Sequence, residues 1–203
     1  MYSILKYPSK SSFKQISERP SLDSDSLDTL IKDVFEQVKL NGDEALKSLT
    51  LQFEKKNLAQ LHYSQTEIND LAALVPNELK EAIQVAYNNI YKFHDSQKLV
   101  EKRIETSPGV ICWQKTSPIE RVGIYIPGGT APLFSTILML AIPAKIAGCK
   151  EVILCTPGEH PALFYAAQLC GVTQMFKLGG SQAIAAMALG TKSVPAVYKI
   201  FGP

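Results

Sequence analysis

Two rhythms of apolar residues divide this chain. In the first part, Leu27, Leu30, Ile31, Val34, Phe35 and Val38 recur at the spacing of one face of an amphipathic helix. Asn41-Gly42 ends that pattern, and Asn41 followed by Glu44 is a capping-box signal for a second helix, with Ala45, Leu46, Leu49 and Phe53 facing inward. Ser64 with Glu67 repeats the signal ahead of Ile68, Leu71 and Val75, and Pro76 breaks the chain. A longer helix follows, carrying Leu79, Ala82, Ile83, Ala86, Ile90 and Phe93 on one side. Residues 1–22, with Pro8, Pro20 and a Ser/Lys run, read as loop with a short helix near 13–16.

From Arg121 the rhythm changes. Short apolar runs at 122–126, 151–155, 174–178 and 197–201 suit buried strands, and the segments 133–147, 161–169 and 181–189 between them suit helices. Pro161 fits a helix first turn; Gly148, Gly171 and Gly190 fit helix C-terminal caps. Pro143 should kink the first of these helices or split it near Leu140. Strand and helix alternating at this period make βαβ units, hence a parallel sheet with right-handed crossovers. Between the two parts, Ile104, Pro108-Gly109 and Val110 to Gln114 suggest a hairpin turning at Ser107-Pro108-Gly109. The expected organisation is a helical subdomain at 1–98, a hairpin and linker at 99–118, and a Rossmann-like α/β domain at 119–203.

Charge sharpens that division. Residues 1–120 carry 15 Lys/Arg and 17 Asp/Glu, whereas residues 121–203 carry 6 and 2 and hold ten of the twelve glycines. A charge-poor, glycine-punctuated segment is what a sheet buried on both faces requires. The formal net charge of +2 gives no electrostatic footprint for nucleic acid. No apolar run reaches 18 residues, and Met1 to Lys6 lacks a signal-peptide layout, so no membrane partner and a cytoplasmic setting are expected. Cys112, Cys149, Cys155 and Cys170 form no C-x-x-C pair and have no nearby His, so they read as reduced, buried thiols. Trp113, the only tryptophan, is expected to pack between the helical part and the sheet, with ligand stacking as the alternative.

In a parallel α/β sheet, ligands bind beyond the carboxyl ends of the strands. Three turns should gather there: Pro127-Gly128-Gly129, Thr156-Pro157-Gly158 and Gly179-Gly180-Ser181-Gln182. Each is either plain turn chemistry or part of an anion cradle, because backbone N–H groups at a glycine turn and a helix start point at the same spot. Neither G-x-G-x-x-G nor a P-loop is present, and Thr156 stands where an acid would hold a ribose. Tyr125 ends a strand beside the first turn and is either a ligand contact or a core aromatic. Gln182 opens a helix and is either a ligand contact or a first-turn polar residue; Ser135 is a polar contact or a capping group. His62, His94 and His160 are scattered without metal-ligand spacing, and Glu151 and Glu159 are the only carboxylates after residue 120. No nucleophile system and no acid–base pair stands out, so no catalytic residue and no metal ligand is assigned.

The stretch Val122-Gly123-Ile124-Tyr125-Ile126-Pro127-Gly128-Gly129-Thr130-Ala131-Pro132-Leu133-Phe134-Ser135-Thr136 resembles histidinol dehydrogenase. So do Ile146-Ala147-Gly148-Cys149, Ala166-Ala167-Gln168-Leu169-Cys170-Gly171-Val172, Gly179-Gly180-Ser181-Gln182-Ala183-Ile184-Ala185-Ala186 and Lys199-Ile200-Phe201-Gly202-Pro203. Gly42-Asp43-Glu44-Ala45-Leu46 and the Phe93-His94 helix end fit as well. The resemblance implies oxidation of L-histidinol to L-histidine in histidine biosynthesis, with two NAD⁺ consumed, a zinc ion in each site, and a homodimer whose sites are completed across the interface. It implies that Tyr125 and Gln182 contact NAD and that Ser135 lies near the substrate. It also implies that the α/β fold is incomplete relative to the family: the Glu-His pair, the zinc ligands and a further NAD contact belong to a portion that follows Pro203. The chain is therefore expected to be inactive alone. The alternatives are a non-catalytic nucleotide- or anion-binding module, or a fragment without function.

Overall fold

The structure, a computed structural model, describes residues 5–18, 25–129 and 131–203. Thr130 and the ends of the expected 1–22 loop lie outside the described residues. A 3-10 turn at Lys10–Ser12 leads into the short helix α1 (Phe13–Ser17), where the sequence places it. Helix α2 (Asp25–Glu54) joins the two expected helices. Gly42 interrupts it with φ 53° and ψ −127°, a conformation open to glycine because it has no Cβ. Asp43 ties that kink to the sheet domain, accepting hydrogen bonds from the Thr191 hydroxyl (2.6 Å) and from both the amide (3.2 Å) and the hydroxyl (2.6 Å) of Ser193.

Helix α3 (Gln65–Ala73) starts with the full capping box that the sequence predicts. The Ser64 hydroxyl accepts from the Glu67 amide, and the Glu67 carboxylate accepts from the Ser64 amide. Helix α4 (Asn77–Asp95) follows Pro76. Strands β1 (Arg103–Ser107) and β2 (Val110–Trp113) form the expected antiparallel hairpin, with Gly109 at φ 82° in its turn. The hairpin stands off the body with all its residues exposed. Trp113 is therefore half-exposed and stacks under the Arg103 guanidinium, 5.1 Å from the ring centroid, instead of packing between helices and sheet.

The second part is the expected βαβ series: β3 (Arg121–Tyr125), α5 (Phe134–Ala147), β4 (Glu151–Cys155), α6 (Pro161–Cys170), β5 (Gln174–Phe176), α7 (Gly180–Leu189) and β6 (Lys199–Phe201). The four strands are parallel, in the order β5-β4-β3-β6. Gly148 and Gly171 close α5 and α6 in the left-handed region. Helix α5 runs through Pro143 without splitting at Leu140, so the proline removes one hydrogen bond and leaves the helix continuous.

The sheet is buried on both faces. On one, Val122, Ile124, Val152, Leu154 and Met175 pack with residues of α5 and α6, and Ile68, Ala72 and Ile83 of α3 and α4 join the same core. On the other, Ile153, Cys155 and Phe176 pack with Ala183, Ala186 and Met187 of α7 and with Val34, Val38, Leu46 and Leu49 of α2. Each fully buried Leu, Ile or Phe contributes roughly 1.5–3 kcal/mol, so the two cores dominate the stability of the assembly. The sandwiching also explains why α5 is apolar all round: it has sheet on one side and α4 on the other. Cys155 and Cys170 are buried and free, as expected, but Cys149 is half-buried and Cys112 is exposed on the hairpin.

Candidate functional site

Register brings the strand ends level. Tyr125 pairs beside Cys155, Cys155 beside Phe176, and Ile124 beside Phe201, so the connections after all four strands leave from one edge. The order reverses at β3: β4 lies on one side and β6 on the other, which places a topological switch point between β3 and β6. The chain passes very close there, since a Cβ on Gly202 would sit 2.8 Å from the Tyr125 carbonyl oxygen.

The three glycine turns gather at this edge as predicted, and Pro157 is their common neighbour. A Cβ on Gly128 would meet the Pro157 ring at 2.9 Å, and one on Gly179 would meet it at 2.8 Å. Gly129 instead faces open space, with nothing within 4 Å of its Cβ position. Thr156 is fully buried, and its hydroxyl accepts from the Gly158 amide at 3.1 Å, so it shapes its own turn.

Tyr125 and Gln182 meet across Gly180. The Tyr125 hydroxyl accepts a 3.0 Å hydrogen bond from the Gly180 amide, which leaves its own O–H free to donate. Burial, with the nearby Glu54 charge adding to it, raises the Tyr125 pKa, so the phenol stays protonated at neutral pH. Gln182 is 1% exposed; its carboxamide donates to Glu54 Oε1 at 3.1 Å, and its Oε1 lies 2.6 Å from where a Gly180 Cβ would be. Ser135 is exposed in the first turn of α5, and among the described residues no hydrogen bond joins it to Tyr125 or Gln182. Among the described residues the start of α5 has no side-chain cap, so its first amides are open to an anion at this edge.

Sequence reasoning missed Glu54. It stands at the end of α2, where Phe53 was expected to face inward; Phe53 is 44% exposed, whereas Thr50 on the neighbouring turn is fully buried. Glu54 Oε1 accepts from both the Gly179 amide (3.2 Å) and Gln182 Nε2. Burial raises its pKa, and the Gly179 amide, the Lys56 charge and Gln182 offset that in part. The signal available in the sequence was the Leu46-Thr50-Glu54 spacing, which puts two polar residues on an apolar helix face.

Among the described residues no histidine hydrogen-bonds Tyr125, Gln182 or Ser135, although His62 bridges Phe176 and His160 ends the loop that follows β4. His160 caps α6, its Nδ1 accepting from the Ala162 amide, and His94 contacts Gln97 at the end of α4. Among the described residues no group of three or more His, Cys, Asp or Glu side chains could hold a metal ion, so zinc finds no donor set here. Among the described residues no helix is long and apolar enough to cross a membrane. An apolar groove of about 800 Å³ lined by Ile119, Val122, Met139, Pro143, Cys149 and Phe201 touches neither Tyr125, Ser135 nor Gln182.

The family model for histidinol dehydrogenase matches residues 17–203. Histidinol dehydrogenase of Bacteroides thetaiotaomicron is 52% identical over all of this chain, which covers 49% of that protein. That of Escherichia coli K12 is 50% identical over 94% of this chain and 44% of its own length. The crystal structure of histidinol dehydrogenase from Elizabethkingia anophelis superposes with a TM-score of 0.90 at 47% identity, over 97% of this chain and 46% of that one. The chain spans about half the length of these relatives. With the family model spanning nearly the whole chain and the fold matching throughout, the chain belongs to the histidinol dehydrogenase family.

Proposed function

We propose that this chain forms the dinucleotide-binding wall of an NAD-dependent histidinol dehydrogenase. In that reading it is an N-terminal portion of a cytoplasmic, homodimeric enzyme that oxidises L-histidinol to L-histidine. The observation that carries the reading is the convergence of Tyr125 and the glycine turns at the switch point between β3 and β6. NAD fits the residues present. Tyr125 offers a protonated hydroxyl with its donor free, Gly129 leaves room for a ligand, and the start of α5 offers uncapped amides for a negative group. The dinucleotide, when bound, supplies the hydride acceptor.

Tyr125 and Gln182 are the proposed NAD contacts, and Ser135, exposed two residues into α5 from its uncapped start, is the proposed substrate-side contact. Gln182 is closed from solvent, with its carboxamide held by Glu54 behind the Gly179-Gly180 turn. Zinc does not fit the described residues, and no step is assigned to it. Oxidation of an alcohol also needs a base to take the hydroxyl proton, and among the described residues no histidine hydrogen-bonds a carboxylate: His160 holds the Ala162 amide, His94 holds Gln97, and Glu159 pairs with Lys56. The chain alone is therefore proposed to bind NAD⁺ without turning over histidinol. Calorimetry of NAD⁺ against the purified chain tests this: saturable heat supports it, and silence at millimolar ligand refutes it. NADH formation from histidinol and zinc by the chain alone would refute the second half of the proposal.

A further inference from the structure

Helix α7 has a weak start of its own. Its N-cap residue is Gly179, which has no side chain with which to cap, and its first residue, Gly180, sits at φ 58°. The missing cap comes from 125 residues earlier. Glu54 Oε1 takes the Gly179 amide, as an N3 carboxylate does in a capping box, and Gln182, which occupies N3, donates to the same oxygen. The anion-receptive end of α7 is thus filled by the protein's own carboxylate. Two residues on, Lys56 Nζ donates to the Pro157 carbonyl at 3.0 Å and pairs with Glu159 at 2.6 Å, holding the neighbouring turn. Between them Lys55 adopts φ 58°, a left-handed conformation that non-glycine residues avoid. That reversal lets Glu54 and Lys56 reach two different turns. Glu54 Oε2 and Thr50 Oγ1 are buried without a hydrogen-bond partner among the described residues, a further mark of a segment held under constraint.

We infer that Glu54 and Lys56 are positioning residues of the dinucleotide site: the end of α2 clamps the Thr156–Gly158 and Gly179–Gln182 turns so that Gly180 presents its amide to Tyr125. The inference rests on the proposed NAD site and adds to it the source of the site's shape. The clamp acts through hydrogen bonds to Gly179, Gln182 and Pro157 and touches no ligand itself.

The test uses the isotopically labelled 203-residue chain with two readouts, the Gly179, Gly180 and Gln182 side-chain amide signals by NMR and NAD⁺ affinity by calorimetry. Glu54→Ala should shift all three signals and weaken NAD⁺ about tenfold, the effect of one charge-assisted hydrogen bond. Glu54→Gln, which keeps an acceptor oxygen, should restore the signals and bring affinity back to within about threefold. Unmoved signals in Glu54→Ala, or an affinity equal to or tighter than that of the native chain, overturn the inference; tighter binding would mean that the carboxylate competes with the ligand. If the native chain does not bind NAD⁺, the dinucleotide reading fails by itself, and the amide signals alone decide the clamp. Should Glu54→Ala not fold, Lys56→Met makes the same test on the other turn: a weakened affinity supports the clamp and an unchanged one overturns it.

Discussion

The Tyr125 hydroxyl and the Gly180 amide, 55 residues apart in sequence, meet at 3.0 Å where β3 ends and α7 begins. This one contact joins the first and third glycine turns, and it leaves the phenol as a donor to whatever binds at the edge.

Tyr125→Phe should therefore strand the Gly180 amide. The loss is about 1 kcal/mol, the net worth of one hydrogen bond whose remaining partner can still reach some water. Urea unfolding should show a lower midpoint with an unchanged slope, and the Gly180 amide should exchange with solvent faster. An unchanged Gly180 exchange rate would show that the contact is not formed in solution.

Gly180→Ala is predicted to be worse. Its φ of 58° is strained for any L side chain, and its Cβ would stand 2.6 Å from Gln182 Oε1. The backbone term alone is roughly 1–3 kcal/mol, and relief requires Gln182 to leave Glu54, which breaks a second contact. Thermal melting should show a larger loss than Tyr125→Phe. Adding Gln182→Ala should recover part of it, because the clashing oxygen is gone while the backbone strain stays.

What was legible in the sequence was what local chemistry decides. Apolar runs, glycine caps and the Ser64–Glu67 box each act within a few residues, so the βαβ series and the start of α3 could be read directly. Tyr125 and Gln182 stood out by their places beside the glycine turns, the resemblance made them NAD contacts, and their meeting across Gly180 needed the fold. Glu54 was hidden because its role exists only after α2 docks on α7, and on a helix surface it looked like one more solvated acid. Phe53 was misjudged because helical periodicity leaves the phase of a short apolar face open by one position; Thr50 and Glu54 took the inward side. Trp113 was misjudged because a large aromatic was assumed to be covered by its own chain, whereas the hairpin that carries it projects from the body.

Glu67 supplies a pH dependence with a definite sign. The hydrogen bond from Lys177, with the amide of Ser64 next, lowers its pKa from 4.5 to about 2. A depressed carboxylate stabilises the fold above its unfolded value, and that contribution is lost as pH falls through its folded value. Stability should thus decline between pH 4.5 and about 2. Lys177→Met should flatten the decline in this window while leaving the rest of the profile in place. Equal slopes for the two proteins would show that the Glu67–Lys177 contact, 2.8 Å in the structure, is not maintained in solution.

The four thiols should separate by access in a timed reaction with a disulfide reagent. Cys112 is exposed on the hairpin and should react first. Cys149 is half-buried and burial raises its pKa, so it should follow more slowly. Cys170 is buried with its pKa pushed up to about 12, and burial raises Cys155 as well. Both lie in cores that join helices of the first part to the sheet, Cys170 with Ile68 and Ile83, Cys155 with Val34 and Leu46. Their labelling therefore reports whether the two parts open together. If the packing is one cooperative unit, Cys155 and Cys170 should become reactive at the same urea concentration. Cys155 reacting well before Cys170 would show that α2 and α7 release from the sheet while α3 to α6 stay packed.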